Sequence, residues 1–173
     1  AFAELISMIN ENKKNVIIVE EGETAKDSKK GRRIDIWWGQ KGENAGLILA
    51  LAHLLSSSTR WRNAKIALKT IFSSADDQKD IEKGLRTFVE KGRLDVSVEA
   101  VRSDDSDLFS AIEKSSKDAD FIFLGLRSPV PDESIEGYSG YLRNIFHDTT
   151  AIPSVAYVLA SEDLDFKKIF LSP

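Results

Sequence analysis

The sequence predicts a doubly wound α/β fold, in which helices cover both faces of a mainly parallel sheet. Short apolar runs rich in β-branched and aromatic residues alternate with longer stretches of helical periodicity. The clearest unit is the strand 34–38, which is followed by a glycine-rich turn and an almost wholly apolar helix to Leu55. Strand and helix then alternate along the rest of the chain, which favours right-handed parallel connections.

Five strands are predicted, at 34–38, 65–72, 95–101, 119–126 and 152–160. The third alternates polar and apolar residues, as an edge strand does, whereas the fourth is the most continuously apolar and should be central. The strand order 3-2-1-4-5 satisfies both conditions. It places the topological switch point, where such sheets bind ligands, between strands 1 and 4.

The four helices between these strands each follow from a local pattern. The helix from Asn44 has little polar surface and should be buried on more than one side. The next can begin after a Ser74 cap and stop at Gly92. The third covers about 105–116, and the fourth follows the proline-held loop 127–133; both carry apolar residues at spacings of three and four.

The chain divides into three predicted parts. Residues 1–20 show a helix and a strand, which we interpret as the end of a preceding subdomain. Residues 21–33 are charged and aperiodic, so they predict a flexible linker. Residues 34–173 form the α/β subdomain, whose tail carries an apolar stripe that should cover a sheet or a partner. Because the sequence lacks an initiator methionine, we expect it to come from a longer polypeptide.

Composition excludes several classes of function. The net charge of −4 and the pI near 5.3 argue against a nucleic-acid partner. The absence of cysteine removes disulfides, thiol catalysis and zinc–thiolate sites. His53 and His147 lie on separate predicted helices without metal-ligand spacing. The longest apolar run, 45–55, is about half of the ~20 residues that a membrane-spanning helix needs.

The glycine-rich turn does not match a nucleotide-binding motif. Glycines at 39, 42 and 46 have neither the dinucleotide-fingerprint spacing nor that of the phosphate loop, so tight-turn glycines are the favoured interpretation. Glu43 stands where a phosphate would approach the helix and would repel it.

The loop after strand 4 is also a poor anion site. Pro129 and Pro131 each remove an amide donor, and Asp132 and Glu133 are placed at the start of the next helix. The remaining counter-charges at the switch point are those of Lys41 and Arg127. We therefore expect no nucleotide there.

No catalytic, cofactor-binding or metal-ligating residue is predicted, and the chain is not expected to be an enzyme. The acid pairs Asp76–Asp77, Asp104–Asp105 and Asp118/Asp120 fall at predicted helix or strand starts, where carboxylates complement backbone dipoles. A G-x-S-x-G elbow is absent, and neither histidine has a partner serine by sequence.

Several short motifs together resemble the cytoplasmic C-terminal domain of the cation-chloride cotransporters. They run in the same order over most of the chain: Lys14-Asn15-Val16-Ile17-Ile18, Ile34-Asp-Ile-Trp-Trp38, Gly46-Leu-Ile, Leu54-Leu55 with Trp61, Asp118 to Leu126 with Pro129, Tyr141-Leu142, and Thr150 to Tyr157. The chain matches the second half of that domain best. Its short linker is similar to that of a prokaryotic member.

The resemblance implies a fold related to the universal stress proteins, on the cytoplasmic side of the cell membrane. It implies a regulatory domain that forms a homodimer and is joined to the membrane portion of the same polypeptide, which carries out the ion symport. An alternative is a nucleotide-binding protein of the universal stress type. Such proteins usually carry a G-x-x-G phosphate motif after strand 4, whereas here Gly125 is followed by Leu-Arg-Ser-Pro129.

The tryptophan pair Trp37 and Trp38 has two interpretations. Adjacent residues of a strand point to opposite faces of the sheet, so each indole can pack under one helix layer. One of them could instead line a ligand crevice. We favour packing, because both are predicted to lie inside the strand.

Overall fold

The computed structural model describes residues 1–22, 31–39, 42–73, 75–92, 94–103, 108–152 and 154–162, and the side chains of 75–77, 91 and 92 are not described. Most of the predicted linker 21–33 and the apolar part of the tail after Glu162 therefore lie outside the described residues. Among the helices of the described part, none is both long and apolar enough to cross a membrane.

The described elements alternate as predicted from Arg33 onward, with one helix and one strand before them. In chain order they are α1 (Phe2–Glu11), β1 (Val16–Glu20), β2 (Arg33–Trp37), α2 (Ala45–Ser57), a 3-10 turn (Thr59–Trp61), β3 (Lys65–Phe72), α3 (Ala75–Gly92), β4 (Ser97–Arg102), α4 (Leu108–Ser115), β5 (Phe121–Gly125), α5 (Ile135–Asp148) and β6 (Val155–Leu159).

The sheet confirms the predicted α/β class and corrects the strand count. Its order is β1-β6-β5-β2-β3-β4, so the five parallel strands keep their predicted sequence while β1 adds a sixth strand. β1 pairs antiparallel with β6, with Val16 opposite Leu159. The prediction of five strands was wrong because an antiparallel partner can come from any distance along the chain, and pattern alone gave no sign that β6 would accept one.

Residues 1–20 therefore share the sheet and the core of the rest. Ala3 and Ile6 of α1 are buried in the same apolar cluster as Leu142 and Ile145 of α5. The interpretation of this segment as the end of a preceding subdomain stays a prediction.

Helices cover both faces of the sheet, as expected of a doubly wound fold. The side chains of α2 and α3 pack with Ile34 and Ile36 on one face. Those of α1, α4 and α5 pack on the other face, around Trp37 and Tyr157. The alternation of side chains along β2 separates these two cores.

The two tryptophans do lie on opposite faces. Trp37 is buried in the core beneath α4 and α5. Trp38 packs in the other core, where its ring centroid lies 4.9 Å from that of Phe88 in α3. Trp38 follows the last residue of β2 rather than lying inside the strand.

A network of charged side chains lies inside the sheet layer, and sequence analysis had not identified it. Asp35 in β2 and Lys69 in β3 are both 0% exposed, and Lys69 Nζ lies 2.9 Å from Asp35 Oδ2. Arg33 Nε donates to Asp35 Oδ1 at 2.8 Å. The Ser116 hydroxyl donates to Asp35 Oδ2 at 2.7 Å, so both carboxylate oxygens are satisfied.

Lys69 completes the network toward α4 and β4. Its ammonium donates to the carbonyl oxygen and to the hydroxyl of Ser115, at 2.7 and 2.8 Å. It also lies 3.1 Å from a carboxylate oxygen of Glu99. Burial lowers the pKa of Arg33, but the hydrogen bond and the charge of Asp35 outweigh this effect and raise the pKa above its usual value. The network thus joins β2, β3 and β4 to the end of α4.

Replacing Lys69 with methionine should lower the free energy of unfolding by about 3–5 kcal/mol, because Asp35 would lose a counter-charge in a fully buried site. Urea denaturation measures this change. Lys65→Met is the matched control, since Lys65 is exposed on the same strand and its replacement should change stability by less than about 0.5 kcal/mol. Equal effects of the two substitutions would contradict the role given to Lys69.

Candidate functional site

A cavity of about 540 Å³ opens at the carboxyl ends of β2 and β5. These neighbouring strands lead in opposite directions, β2 to β3 and β5 to β6, so the cavity occupies the switch point of the sheet. Most of its described lining is apolar: Ile36, Trp37, Trp38, Ala45, Ile48, Ile71, Leu108, Phe109, Ile112, Leu124, Leu126 and Ile145. Both tryptophans line it in addition to their packing roles.

The glycine-rich turn forms the α2 side of this cavity. The Gly42 amide donates to the Gly39 carbonyl at 3.1 Å, and the Gly42 carbonyl accepts from the Ala45 amide at 3.0 Å. Gly42 has a φ of +64°, a conformation that favours glycine. Gly46 is buried in α2, and Glu43, which precedes the N-cap residue of that helix, lies on the cavity wall. Lys41 lies outside the described residues.

Asn44 closes the floor between the strands. Its Nδ2 donates to the Leu126 carbonyl at 2.7 Å, and its Oδ1 accepts from the Ala160 amide at 2.7 Å. It stands at the N-cap position of α2, but its side chain does not cap the helix. A Cβ on Gly125 would lie 2.8 Å from Asn44 Nδ2, so the residue there must be small. Asn44 therefore joins the start of α2 to the ends of β5 and β6.

Arg127, one of the two predicted counter-charges, is held by Glu133. Two hydrogen bonds join the guanidinium to the carboxylate: Nη1 to Oε2 at 2.8 Å and Nη2 to Oε1 at 2.6 Å. Glu133 Oε2 also accepts from the Val130 amide at 3.1 Å. The hydrogen bond from Arg127 lowers the pKa of Glu133, and the same bond raises the pKa of Arg127. Both groups are therefore charged at neutral pH.

This ion pair gives Glu133 a partner that the sequence did not predict. Helix α5 begins at Ile135, and the hydroxyl of Ser134 accepts from the Gly137 amide at 3.1 Å as its N-cap. Glu133 precedes that cap and pairs with Arg127, and its carboxylate also lies near the first helical turn, since a Cβ on Gly137 would be 3.7 Å from Glu133 Oε1. Asp132 lies one residue earlier still, with a φ of +62°.

Two tyrosines of α5 fix the backbone of Arg127. The Arg127 amide donates to the Tyr141 hydroxyl, and the Tyr138 hydroxyl donates to the Arg127 carbonyl, both at 3.1 Å. The guanidinium carbon lies 4.2 Å from the centroid of the Tyr141 ring. Burial raises the pKa of Tyr138 to about 12, so its hydroxyl stays protonated. The carboxylate of Glu133 thus already balances the charge of the guanidinium of Arg127, whose side chain is 39% exposed.

Charged side chains are few in the described lining of the cavity. Glu43 and Arg127 are the charged side chains among the described residues that line the cavity. Within the described part of the chain, no group of three or more histidine and acidic residues is arranged to hold a metal ion. His53 lies on α2 and His147 on α5. Asp120 accepts from the Arg33 amide at 2.8 Å, which joins the starts of β5 and β2.

The comparisons with solved structures identify the fold. No protein-family model matches the chain. The chain is similar to the cytoplasmic domain of a prokaryotic cation chloride cotransporter, with a TM-score of 0.64 and 19% identity over 98% of this chain and 61% of that one. It is also similar to a universal stress protein from Archaeoglobus fulgidus DSM 4304, with a TM-score of 0.55 and 13% identity over 87% of this chain and 50% of that one.

These likenesses confirm the resemblance at the level of the fold. The universal-stress-type architecture expected from the sequence is present. The chain spans about three-fifths of the cotransporter domain and half of the stress protein.

Removing the side chain of Asn44 should destabilise the switch point. Asn44→Ala leaves the Leu126 carbonyl and the Ala160 amide without their partners in a buried region, so the free energy of unfolding should fall by about 2–4 kcal/mol. Chemical denaturation measures the loss. Asn12→Ala, which removes one exposed hydrogen bond to Met8, is the control and should cost under ~1 kcal/mol. A loss at Asn44 no larger than that at Asn12 would contradict this role.

Proposed function

We propose that this chain is a non-catalytic regulatory and dimerisation domain of a cation-chloride cotransporter, on the cytoplasmic side of the membrane. The observation that carries the proposal is the likeness of fold to a cytoplasmic cotransporter domain over 98% of the chain. The order of the short motifs around Trp37 and Trp38 also supports it.

The switch-point geometry supports a role without catalysis. Two of its polar side chains are engaged by the protein itself: Arg127 binds Glu133, and Asn44 binds backbone groups of Leu126 and Ala160. Catalysis requires groups that are free to meet a substrate with matched proton affinities. In this proposal, ion transport belongs to the membrane portion of the same polypeptide, and the α/β domain transmits a signal through its own association.

A nucleotide-binding protein of the universal stress type is the second candidate. The cavity at the switch point and the likeness to a stress protein favour it. A triphosphate, however, needs converging amide donors and free positive charge. Pro129 and Pro131 lack amide hydrogens, Glu43 adds negative charge, and the guanidinium of Arg127 already holds a carboxylate. These features favour the regulatory domain.

The regulatory proposal predicts self-association into a two-fold dimer. Light scattering over a concentration series should show the mass of two chains at or below ~100 μM, a concentration that corresponds to a binding free energy of about −5.5 kcal/mol. Attachment to a membrane portion that is itself dimeric would raise the effective concentration to the millimolar range, so even a weak interface could act in the intact protein. A chain that stays monomeric up to ~100 μM would count against the proposal.

Calorimetric titration with ATP and magnesium should show no saturable heat, because neither side of the cavity offers a free anion site. The decisive comparison is Arg127→Ala. If the unmodified chain bound ATP with a dissociation constant below ~100 μM and this variant did not, the stress-protein candidate would replace the first. Glu133→Gln is a further check, since it releases the guanidinium and should be the variant most able to acquire anion binding.

A further inference from the structure

The two edges of the sheet differ in how they are protected. β4, at one edge, carries the charged residues Glu99 and Arg102. β1, at the other, reads Val-Ile-Ile-Val-Glu, and its Ile17 and Val19 are 45% and 55% exposed. Natural edge strands usually carry lysine, proline or a bulge that prevents pairing with another chain. β1 has none of these within its five residues.

The helix beside this edge is also apolar on its outer side. Phe2, Leu5 and Met8 of α1 are each about half exposed, and they recur at intervals of three residues. α1 leads directly into β1 and packs against α5. Both helices lie on one face of the sheet, and the side chain of Ile17 lies on the other. Apolar side chains therefore flank the β1 edge on both faces, as at an interface.

Charge at the two ends of β1 indicates what the edge fits. Lys13 and Lys14 precede the strand, Glu20 is its last residue, and Glu21 follows it. A second copy of the same strand in antiparallel orientation brings the basic end of one copy beside the acidic end of the other. A parallel copy would bring like charges together at both ends, and a strand without charged ends would leave these charges without opposite partners.

The register follows from the same residues. Directly opposite residues of an antiparallel pair face the same side of the sheet, so a two-fold axis must pass through a residue position. An axis at Ile17 places Lys14 opposite Glu20. An axis at Ile18 would place Lys14 opposite Gly22 and Glu20 opposite Val16, so neither of these two residues would meet an opposite charge.

We propose that β1 pairs with β1 of a second copy, antiparallel and about a two-fold axis at Ile17, so that the two sheets become continuous. The inference rests on the dimer of the proposed function and assigns its surface. The apolar side chains of α1 then meet those of the second α1 on one face of the joined sheet, and Ile17 meets its counterpart on the other.

Disulfide trapping tests the register, because the chain has no cysteine of its own. In Ile17→Cys the two thiols would be directly opposite, where Cα atoms of antiparallel strands lie about 4.5–5.5 Å apart, within the range of a disulfide. In Val19→Cys each residue would lie about 13 Å along the strand from its symmetry mate, beyond disulfide reach. Ser97→Cys, on β4, reports random collisions.

Under mild oxidation at a concentration that gives dimer, we expect covalent dimer from Ile17→Cys at least tenfold faster than from Val19→Cys or Ser97→Cys. A dimer by light scattering that gives equal trapping at all three positions would overturn the β1 surface while leaving the proposed dimer intact. A chain that is monomeric throughout would overturn both. If a longer version of the polypeptide shields the thiol of the Ile17→Cys variant from maleimide while remaining monomeric, another segment of the same chain covers the edge, and the inference fails.

A charge exchange gives an independent test. Lys14→Glu alone and Glu20→Lys alone each place like charges opposite one another at two symmetric positions, so each should raise the dimer dissociation constant about three- to tenfold. The double variant Lys14→Glu/Glu20→Lys restores opposite charges and should return the constant to within about twofold of the original. Additive weakening in the double variant would overturn the antiparallel register.

Discussion

The buried ion pair of Asp35 and Lys69 is the interaction on which the rest of the sheet depends. Two charges without access to water are tolerable only when each is fully satisfied, and this requirement fixes several elements at once. Arg33 and Ser116 must reach Asp35, while Ser115 and Glu99 must reach Lys69. The register of β2 on β3, the position of β4 and the end of α4 are thus set by one polar cluster, in addition to apolar packing.

The same cluster extends to the switch point through Trp37. The indole Nε1 donates to the Ser116 hydroxyl at 3.1 Å, and that hydroxyl donates to Asp35. The indole also lines the cavity at the end of β2. The position of the indole is therefore fixed by its hydrogen bond to the ion network and by packing in the same core as Leu124 and the helices. Around the cavity, the Asn44 side chain bonds to backbone groups and Arg127 bonds to Glu133, while most of the described lining is apolar.

Sequence analysis could predict the elements whose pattern is local. The runs at β2, β3 and β5, the stripe of α5 and the order of the parallel strands all follow from periodicity and from right-handed crossovers. It could not predict contacts between distant residues. Asp35 and Lys69 are charged residues in the middle of β2 and β3, each with apolar residues on both sides or on one side, and this pattern could have suggested a buried ion pair. Asn44 before a helix matches an N-cap, and only coordinates show that its side chain turns toward Leu126 and Ala160.

The partner of Glu133 is another contact that the sequence pattern did not predict. An acid just before a predicted helix satisfies the expectation of dipole complementarity, but a bidentate guanidinium six residues away is the stronger partner. The strand count failed for a related reason. β1 has an ordinary strand pattern, and its membership of this sheet depends on an edge supplied by β6, at the other end of the sequence.

The pairing of β1 with β6 has a consequence for synthesis of the chain. Val16 is opposite Leu159, so nearly the whole described sequence must leave the ribosome before the strand finds its partner. At about 5–20 residues per second, this delay is on the order of ten seconds. Throughout that time the nascent chain presents Ile17, Ile18 and Val19 without their neighbours in the sheet. β1 is thus the first of the described strands to be synthesised, but it cannot pair until β6 has been synthesised. Until then its apolar side chains are accessible to chaperones.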